Sequence, residues 1–155
     1  MLDLKPIEFF LRAIPEGFLY ILGIYVFSKI KIDKKKYIKG SLITAVVIYC
    51  IRFLPIDYGV HTILSILFII FLSIFYNGID QINVIKGTII TFIIQFLSEG
   101  INMLVISIIP NINLNKLFNK PEIKTLLGLP SLIITLIVCI LFYNNYKKKD
   151  EIKDV

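Results

Sequence analysis

Tryptophan is absent from this 155-residue chain, histidine occurs once, and cysteine and alanine occur twice each. A single histidine excludes a His-rich metal site and leaves few groups for general-base chemistry. Cys50 and Cys139 both fall inside apolar runs, where a thiol behaves as a small hydrophobe, and no zinc-type spacing joins them. Neither a Gly-rich phosphate loop nor a Ser/His/Asp arrangement stands out. A Cys/His membrane peptidase would have to use Cys50 and His61, which lie on different apolar runs either side of one turn. The chain therefore reads as a non-enzyme that needs no metal or cofactor. Alanine is scarce, and Ile and Leu together supply about a third of the residues. The apolar content is thus lipid-facing bulk, unlike the small-residue packing of a tight helix dimer.

What is present is hydrophobicity. The chain is 57% apolar and 18% charged, with a net charge of +6 and a mean hydropathy of +0.83. A soluble domain has about a quarter of its residues charged. The expected fold class is all-α, a polytopic integral membrane protein. A bilayer core needs about 20 mainly apolar residues per helix. Five runs approach or exceed that length: Ile7 to Ser28, Tyr37 to Ile56, Tyr58 to Tyr76, Ile82 to Ile109 and Leu126 to Tyr146. The fourth is too long for one upright span and too short for two, so it reads as one long tilted or bent helix with Gly100 as a weak point. Before the last run, Pro110 to Lys124 is polar, with Leu114, Leu117 and Phe118 on one helical face. It reads as a short interfacial helix. The first run is no cleavable signal: Asp3 precedes it, Glu8, Arg12 and Glu16 interrupt it, and no small-x-small site follows. Residues 1–146 are thus expected to form one transmembrane helical domain, and 147–155 a charged tail too short to fold alone.

The basic residues set sidedness. Lys29, Lys31, Lys34, Lys35, Lys36 and Lys39 follow the first span, and Lys147, Lys148, Lys149 and Lys153 follow the last. Both groups belong on the cytoplasmic side. Four spans separate them, so a five-span topology places them together, with the N-terminus outside. Lys116, Lys120 and Lys124 near the outer stretch dilute this bias. Lys34, Lys35, Lys36, Lys147, Lys148 and Lys149 are expected to contact anionic lipid headgroups, each contributing about 1 kcal/mol near the surface. That use accounts for them better than nucleic acid does.

Ionisable groups inside spans cost about 2.5 to 3.5 kcal/mol at a helix centre, so each asks for a reason. Glu8, Arg12 and Glu16 recur every four residues and share one face. Glu8 and Arg12 suit an interfacial pair, whereas Glu16 lies near mid-span beside the kink expected at Pro15. In the fourth run Gln95, Glu99 and Asn102, with Ser98 alongside, make a polar stripe that lipid cannot satisfy. It serves either as glue between helices or as a pocket. Arg52 can snorkel to the outer interface, and Asp57 and His61 flank the turn that follows. The five-span topology puts Arg12, Glu16, Arg52, His61 and Glu99 in or near the same outer half, with helix rotations left open.

Leu11-Arg12-Ala13-Ile14-Pro15-Glu16, the basic run Asp33-Lys34-Lys35-Lys36-Tyr37, Ile51-Arg52-Phe53-Leu54-Pro55-Ile56 and Gly59-Val60-His61-Thr62-Ile63-Leu64 form a series. Together they resemble the N-terminal membrane region of clostridial quorum-sensing-type sensor histidine kinases of the GHKL class. The resemblance covers the first two or three spans best. It implies a membrane region that receives an extracellular signal, commonly a peptide. The sequence given stops where the kinase linker of that family would begin, so phosphotransfer and ATP binding are not carried over. A sensing surface is, through Arg12, Glu16, Arg52 and His61.

The expected function is a kinase-less sensor or accessory subunit of the plasma membrane, recognising a ligand or protein partner from the outer half of the bilayer. Glu16, Arg12, Arg52, His61, Gln95, Glu99 and Asn102 are its candidate ligand-binding residues. The rival reading is a small transporter subunit that binds a solute or proton at Gln95, Glu99 and Asn102. No internal repeat of the kind common in carriers is evident.

Overall fold

A computed structural model describes residues 9–54, 58–108 and 121–153. The expected interfacial residues 110–120, together with Glu8 and Asp57, lie outside the described residues. Those described are helical, with no strand among them. A π-helical turn, Phe9–Ala13, leads into α1, Ile14–Phe27. Then come α2 (Lys34–Arg52), α3 (Tyr58–Phe75), α4 (Gln81–Ile108) and α5 (Pro121–Lys148). Three helical segments are long and apolar enough to cross a membrane: Phe9–Phe27, Gln81–Ile108 and Leu126–Lys148.

Several boundaries differ from the hydropathy reading. The second helix begins at Lys34 and not at Tyr37, because Asp33 is its N-cap. One Asp33 carboxylate oxygen accepts from the backbone N–H of Lys35 at 2.9 Å and of Lys36 at 3.3 Å. That cap also offsets the cost of three cations at the positive end of a helix dipole. The helix ends at Arg52, short of Ile56, since Pro55 disfavours helical backbone at the residue before it. The last helix begins at Pro121, so Pro121 to Lys124 form its first turn and not the end of an interfacial stretch. Proline's fixed φ suits that first position. Gly100 does not interrupt α4, which runs unbroken for 28 residues.

The first helix is the hub. It packs against α2, α4 and α5 and touches α3, while α2, α3, α4 and α5 follow one another around it. Leu19, Tyr20, Ile21, Ile24 and Tyr25 of α1 meet Ile48, Ile69, Leu72, Val84, Phe92 and Leu132 in one core. Close approach depends on small residues. A Cβ on Gly17 would lie 2.7 Å from the Ser41 carbonyl oxygen and 2.9 Å from the Ala45 nitrogen, and one on Gly87 would lie 3.0 Å from the Ile24 carbonyl oxygen. The bundle's exterior is apolar, with Ile63, Leu67, Phe71, Ile89, Ile93, Leu97, Ile137 and Leu141 exposed.

At the far end of α1 the chain reverses through Lys29, whose φ is 55°. The Ile30 N–H donates to the Tyr25 carbonyl at 3.1 Å and the Lys29 N–H to Val26 at 3.0 Å. This is a Schellman cap without glycine. The end of α5 repeats it: Asp150 has a φ of 50°, and the Glu151 N–H reaches the Tyr146 carbonyl at 3.1 Å. The two caps lock together. Lys31 N–H donates to the Lys153 carbonyl and Lys153 N–H to the Lys29 carbonyl, both at 2.9 Å. Lys29 Nζ pairs with Glu151 and sits 4.7 Å from the Tyr146 ring centroid. Their hydrogen bond raises the Lys29 pKa and lowers that of Glu151. The tail, expected to be too short to fold alone, therefore takes its structure from the first loop. The basic loop and basic tail share one end of the bundle.

Gly17 gives a direct test of the hub. Gly17→Val should lower the thermal unfolding temperature in detergent, at about 1 to 3 kcal/mol for forced overpacking. Gly100→Ala, at a helix position with open space around it, should be neutral or stabilising by up to about 1 kcal/mol. Equal effects from the two would show that α1 does not need α2 at contact distance.

Candidate functional site

Pro15 has no N–H to return to the turn before it, and the wider π-helical turn Phe9–Ala13 sits there. π-turns of this kind recur at functional sites. The turn carries Arg12. One turn later comes Glu16, whose side chain is 2% exposed. Arg12 Nε donates to Glu16 Oε1 at 3.3 Å. Arg52 Nη2, from the last residue of α2, donates to the other carboxylate oxygen. A carboxylate buried in an apolar bundle is costly unless charge-paired, and here it has a cation on each oxygen.

The network continues onto α4. Arg12 Nη2 lies 3.7 Å from Glu99 Oε1, and that oxygen accepts from Gln95 Nε2 at 3.0 Å. Gln95 is buried, whereas the Glu99 side chain is 38% exposed. Arg12 and Arg52 are 27% and 25% exposed. With Glu16 and Glu99 ionised, the charges of the four groups sum to zero. Arg12 also lies over α5, where a Cβ on Gly128 would meet its Nη1 at 3.5 Å. Glycine there leaves room for the guanidinium.

Asn102 lies further along the same face of α4, and its amide donates to the Leu127 carbonyl of α5. Pro130 lies inside α5, and a helix-interior proline disrupts the backbone bonding of the preceding turn. A carbonyl there is then available to a side chain. Ser98 accepts from Thr135 at 3.0 Å. The polar stripe thus does two jobs: Ser98 and Asn102 tie α4 to α5, while Gln95 and Glu99 join the charge network.

Of the seven candidate residues, Arg12, Glu16, Arg52, Gln95 and Glu99 are connected side chain to side chain. His61 is buried in the first turn of α3, where its carbonyl accepts from Ser65 at 2.8 Å. Tyr20 was not among the candidates. It is buried, and its ring stacks on Phe92 at 4.6 Å. The signal that finds it is the four-residue recurrence Arg12, Glu16, Tyr20, continued past the charged residues. Among the described residues, no group of three or more His, Cys, Asp or Glu side chains is placed to hold a metal. The chain matches no family model, no curated protein and no solved structure.

Glu16 is the member on which the others converge. Removing one partner of a buried ion pair costs about 3 to 5 kcal/mol, so Glu16→Ala should markedly lower stability in detergent. Glu99→Gln removes a looser, more exposed pair and should cost about 0 to 1 kcal/mol. Chemical or thermal unfolding of the two variants side by side checks the ranking, and a reversed order would move the centre of the network to Glu99.

Proposed function

We propose that this chain is a non-enzymatic, five-span protein of the plasma membrane, acting as a kinase-less sensor or accessory subunit that recognises a ligand or protein partner through the network around Glu16. Five spans are supported by helix length. α2 and α3 have 19 and 18 residues, close to the about 20 that a bilayer core requires. The apolar exterior of the bundle suits hydrocarbon, which cannot bond polar groups. Orientation follows the lysines. The joined loop and tail take the cytoplasmic surface, with Lys34, Lys35, Lys36, Lys147, Lys148 and Lys149 on anionic headgroups. Glu16 lies about 18 Å along α1 from Ser28, which puts the charge network in the outer half.

The observation that carries the sensing reading is the partial exposure of Arg12, Arg52 and Glu99 around a fully buried Glu16. Glu16 holds the two guanidinium groups in place, and the exposed members face what is recognised. The resemblance of Leu11 to Ile66 to a sensor membrane region points the same way. A transporter subunit is the second reading, favoured by the Gln95–Glu99 hydrogen bond, since a carboxyl beside an amide suits a solute or a proton.

Topology is tested with single cysteines at positions 35 and 147 in a chain lacking Cys50 and Cys139. Both should resist an impermeant maleimide on intact cells and react after permeabilisation. Labelling of either from outside overturns the orientation, and labelling on opposite sides overturns the five spans.

Function is tested in proteoliposomes holding a pH-sensitive dye. Sensing expects wild type and Glu99→Gln to leak protons no faster than empty vesicles, while a photoreactive residue at position 53 in cells yields a discrete crosslinked product that Arg12→Gln abolishes. Proton or solute flux lost on Glu99→Gln establishes transport instead.

A further inference from the structure

The charge network is neutral in sum but rich in donors. A guanidinium has five N–H donors, and Glu16 takes one from Arg12 and one from Arg52. The approach of Arg12 Nη2 to Glu99 Oε1, at 3.7 Å, is too long for a hydrogen bond. Glu99 is also the member held least firmly: its side chain is 38% exposed, and Gln95 restrains it through one amide bond. Glu99 is thus a carboxylate that faces Arg12 and is only loosely held there.

An aromatic cluster joins the two segments that carry the arginines. Phe9 packs edge-on against Phe10 at 5.4 Å and against Tyr49 at 4.9 Å, and Tyr49 against Phe53 at 4.8 Å. These rings link the π-helical turn that carries Arg12 to the end of α2 that carries Arg52. Phe10, Phe53 and Leu54 are exposed. Leu11 of the π-helical turn and Ile14, Pro15 and Phe18 of α1, all partly buried, add apolar surface along the helix. A ligand that reaches the arginines therefore meets apolar side chains on the way.

We infer that Glu99 is a built-in substitute for the carboxylate of an amphipathic ligand, and that the site takes a long-chain carboxylic acid dissolved in the bilayer, its head on Arg12 in the place of Glu99 and its chain along the exposed Phe10 and Phe53. This rests on the reading that the network recognises a ligand. Charge balance fixes the exchange. Arg12, Arg52 and Glu16 sum to +1, so the site accepts one negative charge, from Glu99 or from the ligand. Binding of the acid moves Glu99 outward into the space it already half occupies. No covalent bond is made or broken.

The consequence is a gain of function that a structural carboxylate would not give. Protein in phosphatidylcholine nanodiscs is titrated with dodecanoate labelled with ¹³C at the carboxyl, and the bound resonance is followed by NMR. Wild type should show a saturable bound signal, and Glu99→Gln should bind about tenfold more tightly, having lost its internal competitor. Arg12→Gln should bind at least about tenfold more weakly, with circular dichroism and size exclusion reporting that it is folded. Methyl dodecanoate should not displace the label, and acetate should need far higher concentration.

Unchanged or weaker binding to Glu99→Gln overturns the substitution, as does displacement by the methyl ester. Equal affinity for acetate overturns the amphipathic ligand. If dodecanoate fails while the crosslink at position 53 still depends on Arg12, this inference falls and the sensing reading stands. If both fail, the sensing reading falls with it.

Discussion

One buried carboxylate organises this molecule. Glu16 sits on the central helix, its two oxygens taken by arginines from two different segments. α1 is in contact with all four other helices, so the position of Glu16 is also the position where α1, α2 and α4 must agree in rotation. Turning α1 by one residue, with the π-turn that carries Arg12, would move Glu16 about 100° away from Arg52 and Arg12 away from Glu99, and leave both of those partners without their counter-charge. Gly17, the next residue, lies against Ser41 and Ala45, so glycine packing and ion pairing specify the same register. Hydrophobic contacts alone specify it weakly, because Ile and Leu surround every helix and one apolar face closely resembles another.

The two ends of the bundle are built on different chemistry. At one end, charges meet inside the helices and neutralise one another. At the other, lysines crowd the surface and the backbone does the joining, through two Schellman caps that use Lys29 and Asp150 in the left-handed region. Non-glycine residues there cost about 1 to 3 kcal/mol and persist only where the surroundings over-determine them. Here the surroundings are each other: Lys29 bonds to Lys153 through the backbone and to Glu151 through the side chain. Neither cap would be as secure alone. The loop after α1 and the segment after α5 thus fold as one unit although they are far apart in sequence.

The helical class and the long fourth helix were legible because each depends on run length and composition. The Arg12–Glu16 pair was legible because i, i+4 spacing alone puts two side chains on one face. What was not legible depends on relations between helices. Nothing in the run Ile51-Arg52-Phe53 says that Arg52 turns inward to Glu16 and not outward to the interface, since both are within reach of a long side chain. The start of α2 was misplaced because Asp33 was counted as a charge among lysines, when its backbone position makes it a cap. The docking of the tail likewise needed two left-handed residues that no glycine announced.

The cost of the network bears on why it exists. A buried ion pair is rarely more stable than well-packed apolar residues of the same volume, and an apolar replacement at Glu16, Arg12 and Arg52 would suit this bundle's composition. A stability role alone therefore explains the network poorly. Two properties remain that apolar packing cannot supply. The first is specificity: paired charges reject the rotations that leucines tolerate, which sets α1 against α2 in a single arrangement. The second bears on the recognition proposed above, and it is preorganisation. With Glu16 holding one N–H of each arginine, both guanidinium groups are placed before anything binds, and their remaining donors are directed by a residue that is itself 2% exposed. A flexible arginine would have to be ordered at the moment of recognition, and that ordering weakens binding. In this fold it is ordered in advance by α1, and the exposed carboxylate of Glu99 is the group that closes the charge balance.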